Sequence, residues 1–392
     1  MLLIKSTIIS KDQSPSFRGA LRASGVMAFA GLGDAILYPV LPIYGKELGF
    51  SVFFIGVLLS INRFVRIIAN THIANWVQRI GMRKILIVTS LVATVTTFMY
   101  GLKLGFICFL IARVLWGLSY SGLKIATLHY ASQAKQKSGL AFGISQSLKS
   151  LGALGILWFG PILIDNFGIQ NGLFSIALIS LLGVFLAYSL PKMEAKPKSN
   201  SVKVNLTFYP NATNLLVFIL SVSIDGILVV SLSYLLSGSI ANSNELLVYV
   251  AFYLLIKRLF VLFFSIIGGI LTIYFRPLLL FLFSISICLF AMILIAFDYT
   301  ILGIVLAFLF NTIVVTFSPL IAIQKQEEDN PLQAISSVTT WWDLGAAIGA
   351  FIGIYAVEYL GVQNLYASLC IVGTILFINF YMRYAKSNRS IL

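Results

Sequence analysis

An all-α membrane protein, with twelve transmembrane helices in two pseudo-symmetric six-helix halves, is the fold class that this sequence predicts. Three observations predict it. The 392 residues are 59% hydrophobic and only 10% charged, against ~45–50% and ~25% in soluble domains, and their mean hydropathy is +0.98. Apolar stretches close to the roughly 20 residues that a spanning helix needs recur along the whole chain. Landmarks of the first half also reappear, in order, in the second. Together these exclude an ordinary cytosolic domain and a disordered chain, and leave no room for a sizeable domain outside the membrane.

The spans fall at about 19–45, 52–75, 85–102, 104–131, 139–165, 169–190, 211–238, 246–275, 278–297, 301–323, 332–359 and 362–382. Span 1 carries Asp34, Pro39 and Pro42. Span 2 places Arg63, Arg66 and Asn70 on one face, at i, i+3 and i+7. Spans 3 and 4 form a short hairpin turning near Lys103. On span 4, Arg113 and Lys124 lie about three turns apart on one face. Span 5 carries Lys149 and Pro161. The polar segment PKMEAKPKSNSVKVNL at 191–206 is rich in Lys, Pro, Ser and Asn and reads as a cytoplasmic linker, dividing the chain into 1–190 and 207–392. Span 7 carries Asp225, span 8 Lys257 and Arg258, and span 11 Trp341, Trp342 and Asp343. Spans 3, 6, 9 and 12 hold no charged residue in their apolar stretches, so they are free to face lipid.

Orientation follows from the basic residues. With the N-terminus inside, 18 of the 27 Lys and Arg lie in inner segments and only Lys46 and Lys103 in outer loops. The positive-inside rule puts both termini in the cytoplasm. The net charge of +14 is thereby mostly topology signal, spread over short loops, and nucleic acid is excluded as a partner. The first 18 residues are too short and polar for a cleaved signal peptide. Cys108, Cys288 and Cys370 sit in apolar runs without metal-binding spacing and read as small buried or lipid-facing side chains. No cofactor or metal is expected.

The internal repeat is specific. Leu151-Gly152-Ala153 matches Leu344-Gly345-Ala346, and Gly168-Ile169-Gln170-Asn171 matches Gly361-Val362-Gln363-Asn364. Asp34 matches Asp225, and INRF at 61–64 matches IKRL at 256–259. Six spans per half keep both repeats in one orientation, related by an axis along the membrane normal. Secondary transporters are built this way, with the substrate site between the repeats near mid-bilayer.

Subtracting the loops leaves seven basic residues inside spans (Arg63, Arg66, Arg113, Lys124, Lys149, Lys257 and Arg258) and three acids (Asp34, Asp225 and Asp343). Each costs roughly 2.5–3.5 kcal/mol at a helix centre on insertion scales, so exposure to lipid is excluded. Either they pair to hold the halves together, or they line a water-filled pathway. The excess of cations suits an anionic or zwitterionic ligand that completes the pairing, with Arg63, Lys149, Arg258, Asp343, Trp342 and Lys124 as candidate contacts. Asp34 and Asp225 are the candidate proton carriers. Trp341 and Trp342 read as a stacking platform or as packing. Gly152, Gly155, Gly345 and Gly349 read as close-packing surfaces or hinges. His72 and His129, near the inner ends of spans 2 and 4, read as solvated or capping groups.

These residues resemble the major facilitator superfamily over all twelve spans. Gly33, Pro39 and Pro42 in LGDAILYPVLPIYGKELG are similar to the span 1 signature of its twelve-span drug:proton antiporters. ANWVQRIGMRK at 74–84 is similar to the superfamily's loop motif: Arg79, Gly81, Arg83 and Lys84 match, while Ala74, Gln78 and Met82 replace a Gly, an Asp and an Arg. Arg113 and Gly117 match its RxxxG pattern, whose Arg is associated with proton coupling. In span 5, Gly152, Gly155, Gly160 and Pro161 match the antiporter motif, but its final glycines are missing. The resemblance implies a conformational-switch loop at Arg79, Gly81, Arg83 and Lys84, and Arg113 as a proton-coupling residue beside Asp34 and Asp225.

The function expected is proton-coupled secondary active transport of a small organic solute by alternating access. Export is favoured by the signatures, and an anionic or zwitterionic solute, such as a carboxylate metabolite or siderophore, by the charge census. A multidrug or toxic-compound efflux pump is the runner-up, and organic-anion uptake the third reading. An enzyme is not expected, because two separated His and no Cys/His cluster supply no catalytic constellation. The site of action expected is the bacterial inner membrane, with the protein a monomer in the lipid bilayer and protons and a small molecule as its partners.

Overall fold

The structure, a computed structural model of the chain, describes residues 15–44, 49–134, 137–191, 210–237, 243–325 and 331–387. Apart from Pro191, the expected linker lies outside the described residues, as do Lys5, Lys11, Lys46 and Arg389. Every regular element among the described residues is helical: α1 (Pro15–Ala30), α2 (Leu32–Tyr44), α3 (Val52–Ile80), α4 (Met82–Gly101), α5 (Gly105–Ser132), α6 (Ser138–Tyr188), α7 (Ala212–Leu220, continued by a π-helix over Ser221–Leu228), α8 (Leu232–Ser237), α9 (Ser243–Tyr274), α10 (Pro277–Ala296), α11 (Thr300–Lys325), α12 (Pro331–Leu360) and α13 (Val362–Ser387).

These helices make the expected twelve passes, with three departures from simple spans. Span 1 is broken at Gly31 into α1 and α2, bent by 43°. Spans 5 and 6 form the 51-residue α6, divided at Gly168, whose φ of 76° and ψ of 164° are not helical. Span 7 passes through π-helix before α8. Composition shows none of these, because a bend changes the chain's direction without changing its apolar content. Among the described residues taken singly, seven helices are long and apolar enough to cross a membrane, or eight with the bent α1–α2 pair. Helix α3 carries Arg63, Arg66 and Asn70, and α12 carries Gln333, Thr340 and Asp343. Both line the space between the halves.

The repeat seen in sequence is a repeat of structure. Gly168 and Gly361 hold φ of 76° and 74° at the turns joining spans 5 to 6 and 11 to 12, a left-handed conformation that glycine adopts without a Cβ penalty. The second pair of matched glycines makes matched contacts. A Cβ at Gly152 would lie 2.7 Å from the Ala28 carbonyl oxygen, and one at Gly345 2.6 Å from that of Phe218. Span 5 thus lies on span 1 as span 11 lies on span 7. For Gly152, Gly345 and Gly349 the close-packing reading is the one observed, whereas nothing lies within 4 Å of a Cβ at Gly155.

Exposed apolar stripes at helical spacing run along the uncharged spans: Val88, Leu91, Val95 and Phe98 on α4, Leu178, Leu182 and Phe185 on α6, and Ile371, Ile375 and Ile378 on α13. Water would not tolerate such surfaces, while lipid covers them. Two cores lie beneath. One is confined to the N-terminal half around Ile36, Tyr100 and Phe109, and the larger runs through both halves.

The halves meet along α6 and α9 and along α3 and α12. A Cβ at Gly139 would strike Thr272 and one at Gly143 the Ser265 carbonyl oxygen. Farther along, Ser147 Oγ donates to Leu262 O at 2.6 Å and Ser150 Oγ to Arg258 O at 3.0 Å. This seam begins at the first residues of α6 and the last of α9, so the molecule is closed at that end. Toward the opposite end α3 and α12 part around a cleft of about 470 Å3 lined by Tyr38, Leu59, Arg63, Ala347 and Phe351.

Gly143→Val is expected to leave each half folded but to hold the halves apart at the closed end, since no side chain fits against Ser265. Spin labels at exposed Lys84 and Arg276 would report a longer inter-half distance with an unchanged melting transition; an unchanged distance would count against this seam.

Candidate functional site

Each acid inside the bundle is held at an irregularity of its helix or at the seam between halves. Asp34 lies in the first turn of α2, directly after the break at Gly31. It accepts a hydrogen bond from Arg113 Nη1 at 2.5 Å. Arg113 is fully buried, and its Nε donates to Leu58 O at 2.6 Å and its Nη2 to Leu59 O at 3.4 Å. One guanidinium therefore ties α5 to α2 and to the backbone of α3, and Gly117 one turn on allows the approach, since a Cβ there would lie 2.9 Å from Asn62 O.

Asp225 is the counterpart in the second half, inside the π-helix. Its Oδ1 accepts from Lys257 Nζ at 2.6 Å and its Oδ2 from Asn311 Nδ2 at 3.3 Å. Span 10 thus supplies an amide where span 4 supplies Arg113, and span 8 supplies the cation. π-Helical turns are frequent at functional positions, and discontinuous spans carry the ion and substrate groups of many carriers.

Asp343 has a different role. From α12 it pairs with Lys124 Nζ at 3.3 Å and Arg66 Nη2 at 3.6 Å, and it accepts from Asn70 Nδ2 at 3.3 Å. All three partners belong to the other half, and Asn70 also donates to Thr340 Oγ1 at 3.3 Å. This cluster closes the seam between α3 and α12. Lys124 and Asp343, expected as substrate contacts, are in this structure engaged with one another across the halves, and neither lines the cavities described below. Trp342 likewise packs against the larger core, while Trp341 stands edge-on to Phe218 with ring centroids 5.8 Å apart.

Four of the seven cations are now paired. The other three, Arg63, Lys149 and Arg258, have no carboxylate partner among the described residues. All three line one cavity of about 190 Å3, with Asp34, Tyr38, Asn62, Arg66, Trp116 and Tyr120. A second chamber of about 150 Å3 shares Lys149 and Arg258 and continues to Gln146, Asp225, Lys257 and Asn311. Trp116 Nε1 and Asn62 Oδ1 are buried in the first chamber's wall without hydrogen-bond partners, and Asn311 Oδ1 in the second's. Buried polar atoms are rarely left so. Sequence reasoning missed Tyr120, although its position seven residues after Arg113 and four before Lys124 places it on their face. It also left Lys257, Arg66 and Asn311 out of the site. Asn311 gave no signal beyond being a polar residue in an apolar span.

The loop motif performs a local task. Gly81 turns the chain from α3 to α4 at φ 92°, and Arg83 Nη2 donates to Tyr188 O at the end of span 6 at 2.5 Å. Arg79 and Lys84 are exposed. Among the described residues no group of three or more His, Cys, Asp or Glu is arranged to hold a metal ion.

A helical bundle of two like halves around a charged cavity is the architecture of a membrane carrier rather than an enzyme. The sequence model of the Major Facilitator Superfamily matches residues 23–328, and the chain belongs to that superfamily. No curated protein matches it by sequence alone. Among solved structures it is similar to the human organic anion transporter MFSD10, at 15% identity over 93% of this chain and 99% of that one, with a TM-score of 0.70. It is also similar to the E. coli fucose:proton symporter FucP, at 14% identity, 92% and 97% coverage and a TM-score of 0.73, a transporter also solved in the outward conformation. The proton:xylose symporter XylE matches at 12% identity, 94% and 95% coverage and a TM-score of 0.66. At these identities the likeness is one of fold.

Lys257→Met is expected to destabilise the protein by about 1–3 kcal/mol, because it leaves Asp225 without its cation in a partly buried site. The double change Asp225→Asn with Lys257→Met should recover most of the loss. Thermal unfolding in detergent reads both, and equal losses for single and double variants would contradict the pairing.

Proposed function

We propose that this chain is a proton-coupled carrier of a small organic anion or zwitterion, operating by alternating access between its two halves. One observation carries the reading: the three intramembrane cations without carboxylate partners are the three that converge on a single cavity. Burying unpaired charge is costly, so an anion there completes a constellation that the protein leaves open. A carboxylate or phosphate group fits the guanidinium and ammonium donors, with the Trp116 indole N–H as a further donor. The human organic anion transporter among the structures of like fold is consistent with this ligand class.

Asp34 and Asp225 are assigned the coupling protons, each poised against a cation that a protonated acid would release: Arg113 in the first half and Lys257 in the second. Under the orientation read from the basic residues, the closed end faces the cytoplasm and the cleft at Tyr38, Arg63 and Phe351 faces outward. The protein acts in this reading as a monomer in the bacterial inner membrane, without a cofactor. Export is the direction favoured by the span 1 signature at Gly33, Pro39 and Pro42; that same signature supports the second reading, a multidrug or toxic-compound efflux pump. Uptake of an organic anion is the third.

Reconstituted into liposomes, the protein is expected to move radiolabelled organic anions under an imposed pH gradient. Asp34→Asn should abolish gradient-driven flux while sparing exchange at equal pH. Arg63→Ala should weaken anion binding about tenfold or more, read by thermal shift over a panel of anionic, zwitterionic and cationic solutes. Preference for cationic dyes, with affinity untouched in Arg63→Ala, would overturn the anion assignment in favour of drug efflux.

A further inference from the structure

Tyr120 joins two sets of charges that the pairing scheme keeps apart. Its hydroxyl oxygen accepts a hydrogen bond from Lys149 Nζ at 2.5 Å, and the same ammonium lies 5.1 Å from its ring centroid. Over the ring, 4.6 Å from the centroid, sits the guanidinium carbon of Arg66. Arg66 has two allegiances: it lines the cavity with Lys149, and it holds Asp343 of the opposite half. Its Nε is buried without a partner, so the guanidinium is not saturated where it stands. On one side of Tyr120 is thus a cation of the open cavity, and on the other a cation of the clasp that keeps α3 and α12 together.

We infer that Tyr120 is the positioning residue that couples ligand binding at Lys149 to release of the Arg66–Asp343 clasp between the halves. The inference rests on the reading of Lys149 as a ligand-binding cation and adds how occupancy of that site reaches the seam. An anion that draws the Lys149 ammonium away removes the hydrogen bond that fixes the phenol. The ring is then free to turn, and Arg66 loses the face that holds it beside Asp343. Arg66 already borders the cavity, so the guanidinium moves to the anion and leaves Asp343 with Lys124 and Asn70. The clasp is weakened by the ligand's arrival, as a carrier needs for opening at its closed end, and the differential contact that drives the change is identified. The two functions of the tyrosine separate by atom: the hydroxyl reports on Lys149, and the ring holds Arg66.

That separation gives a test which needs no ligand and so stands apart from the sign of the substrate. Spin labels at Lys84 and Arg276, in full-length protein with Cys108 replaced by Ala, report the population open at the seam's closed end. In the Tyr120 background, Lys149→Ala should raise that population about fivefold. In Tyr120→Phe, which keeps the ring and loses the hydroxyl, Lys149→Ala should change it less than twofold. Tyr120→Leu, which loses both, should open the clasp whether or not Lys149 is present, and Asp343→Asn sets the fully unclasped reference. Equal effects of Lys149→Ala in the Tyr120 and Tyr120→Phe backgrounds would overturn the coupling. So would a clasp in Tyr120→Leu as closed as in the unaltered protein. Failure of anion transport with an intact cycle would refute the ligand assignment alone.

Discussion

Charge that has been taken out of water must be answered by opposite charge or by oriented donors, and the interior of this bundle is organised around that constraint. At an effective dielectric constant of about 20, two unit charges 4 Å apart interact by about 4 kcal/mol, comparable with the cost of placing either in a membrane. An ion pair is then worth keeping, and a charge without one is left to weaker polar partners. Asp34 meets Arg113, Asp225 meets Lys257 and Asn311, and Asp343 meets Arg66, Lys124 and Asn70. The imbalance of seven cations to three acids is not spread through the bundle. It is concentrated in Arg63, Lys149 and Arg258, around the cavity between the halves.

The three pairings serve different ends, and the backbone shows it. Asp34 and Asp225 stand at a helix break and in a π-helix, where the regular ladder of hydrogen bonds is already interrupted and a side chain can be aimed into the interior. Each is paired within its own half, so its state can change without separating the halves. Asp343 stands on a regular helix and is paired only across the seam, so its state cannot change without loosening the contact between halves. Tyr120 lies between Lys149 of the cavity and Arg66 of the Asp343 cluster. Pseudo-symmetry places them, and departures from it set them apart: Arg113 has no basic counterpart on span 10, where Asn311 approaches the acid instead, and Asp343 has no acidic counterpart on span 5, where Lys149 supplies a cavity cation close by.

Much of this was legible in the residues. The count of passes, the relation of the halves through Gly152 and Gly345 or Gly168 and Gly361, and the confinement of charge to the inner spans all follow from spacing and hydropathy, because the bilayer penalises every exception. The sorting of the ten charges did not follow. Periodicity puts Arg63 and Arg66 on the same face of span 2, yet one opens on the cavity and the other clasps Asp343. Trp342 and Asp343 are adjacent in sequence, yet the tryptophan packs in the core and the acid bridges the halves. Which partner a buried charge takes depends on helices brought together from positions 79, 219 or 277 residues apart in the chain, and no local pattern records such pairings.

By itself, then, the sequence determined that this is a twelve-span, two-fold-repeated carrier with an excess of positive charge in its interior. Hydrophobic length, glycine spacing and charge counts are properties of single helices, and the membrane reads them directly. Only the tertiary structure decided which of those charges neutralise each other, which clasp the halves and which line the cavity without a carboxylate partner among the described residues. Electrostatic pairing acts over a few ångström between side chains of different helices, so it exists only once the bundle has closed around them.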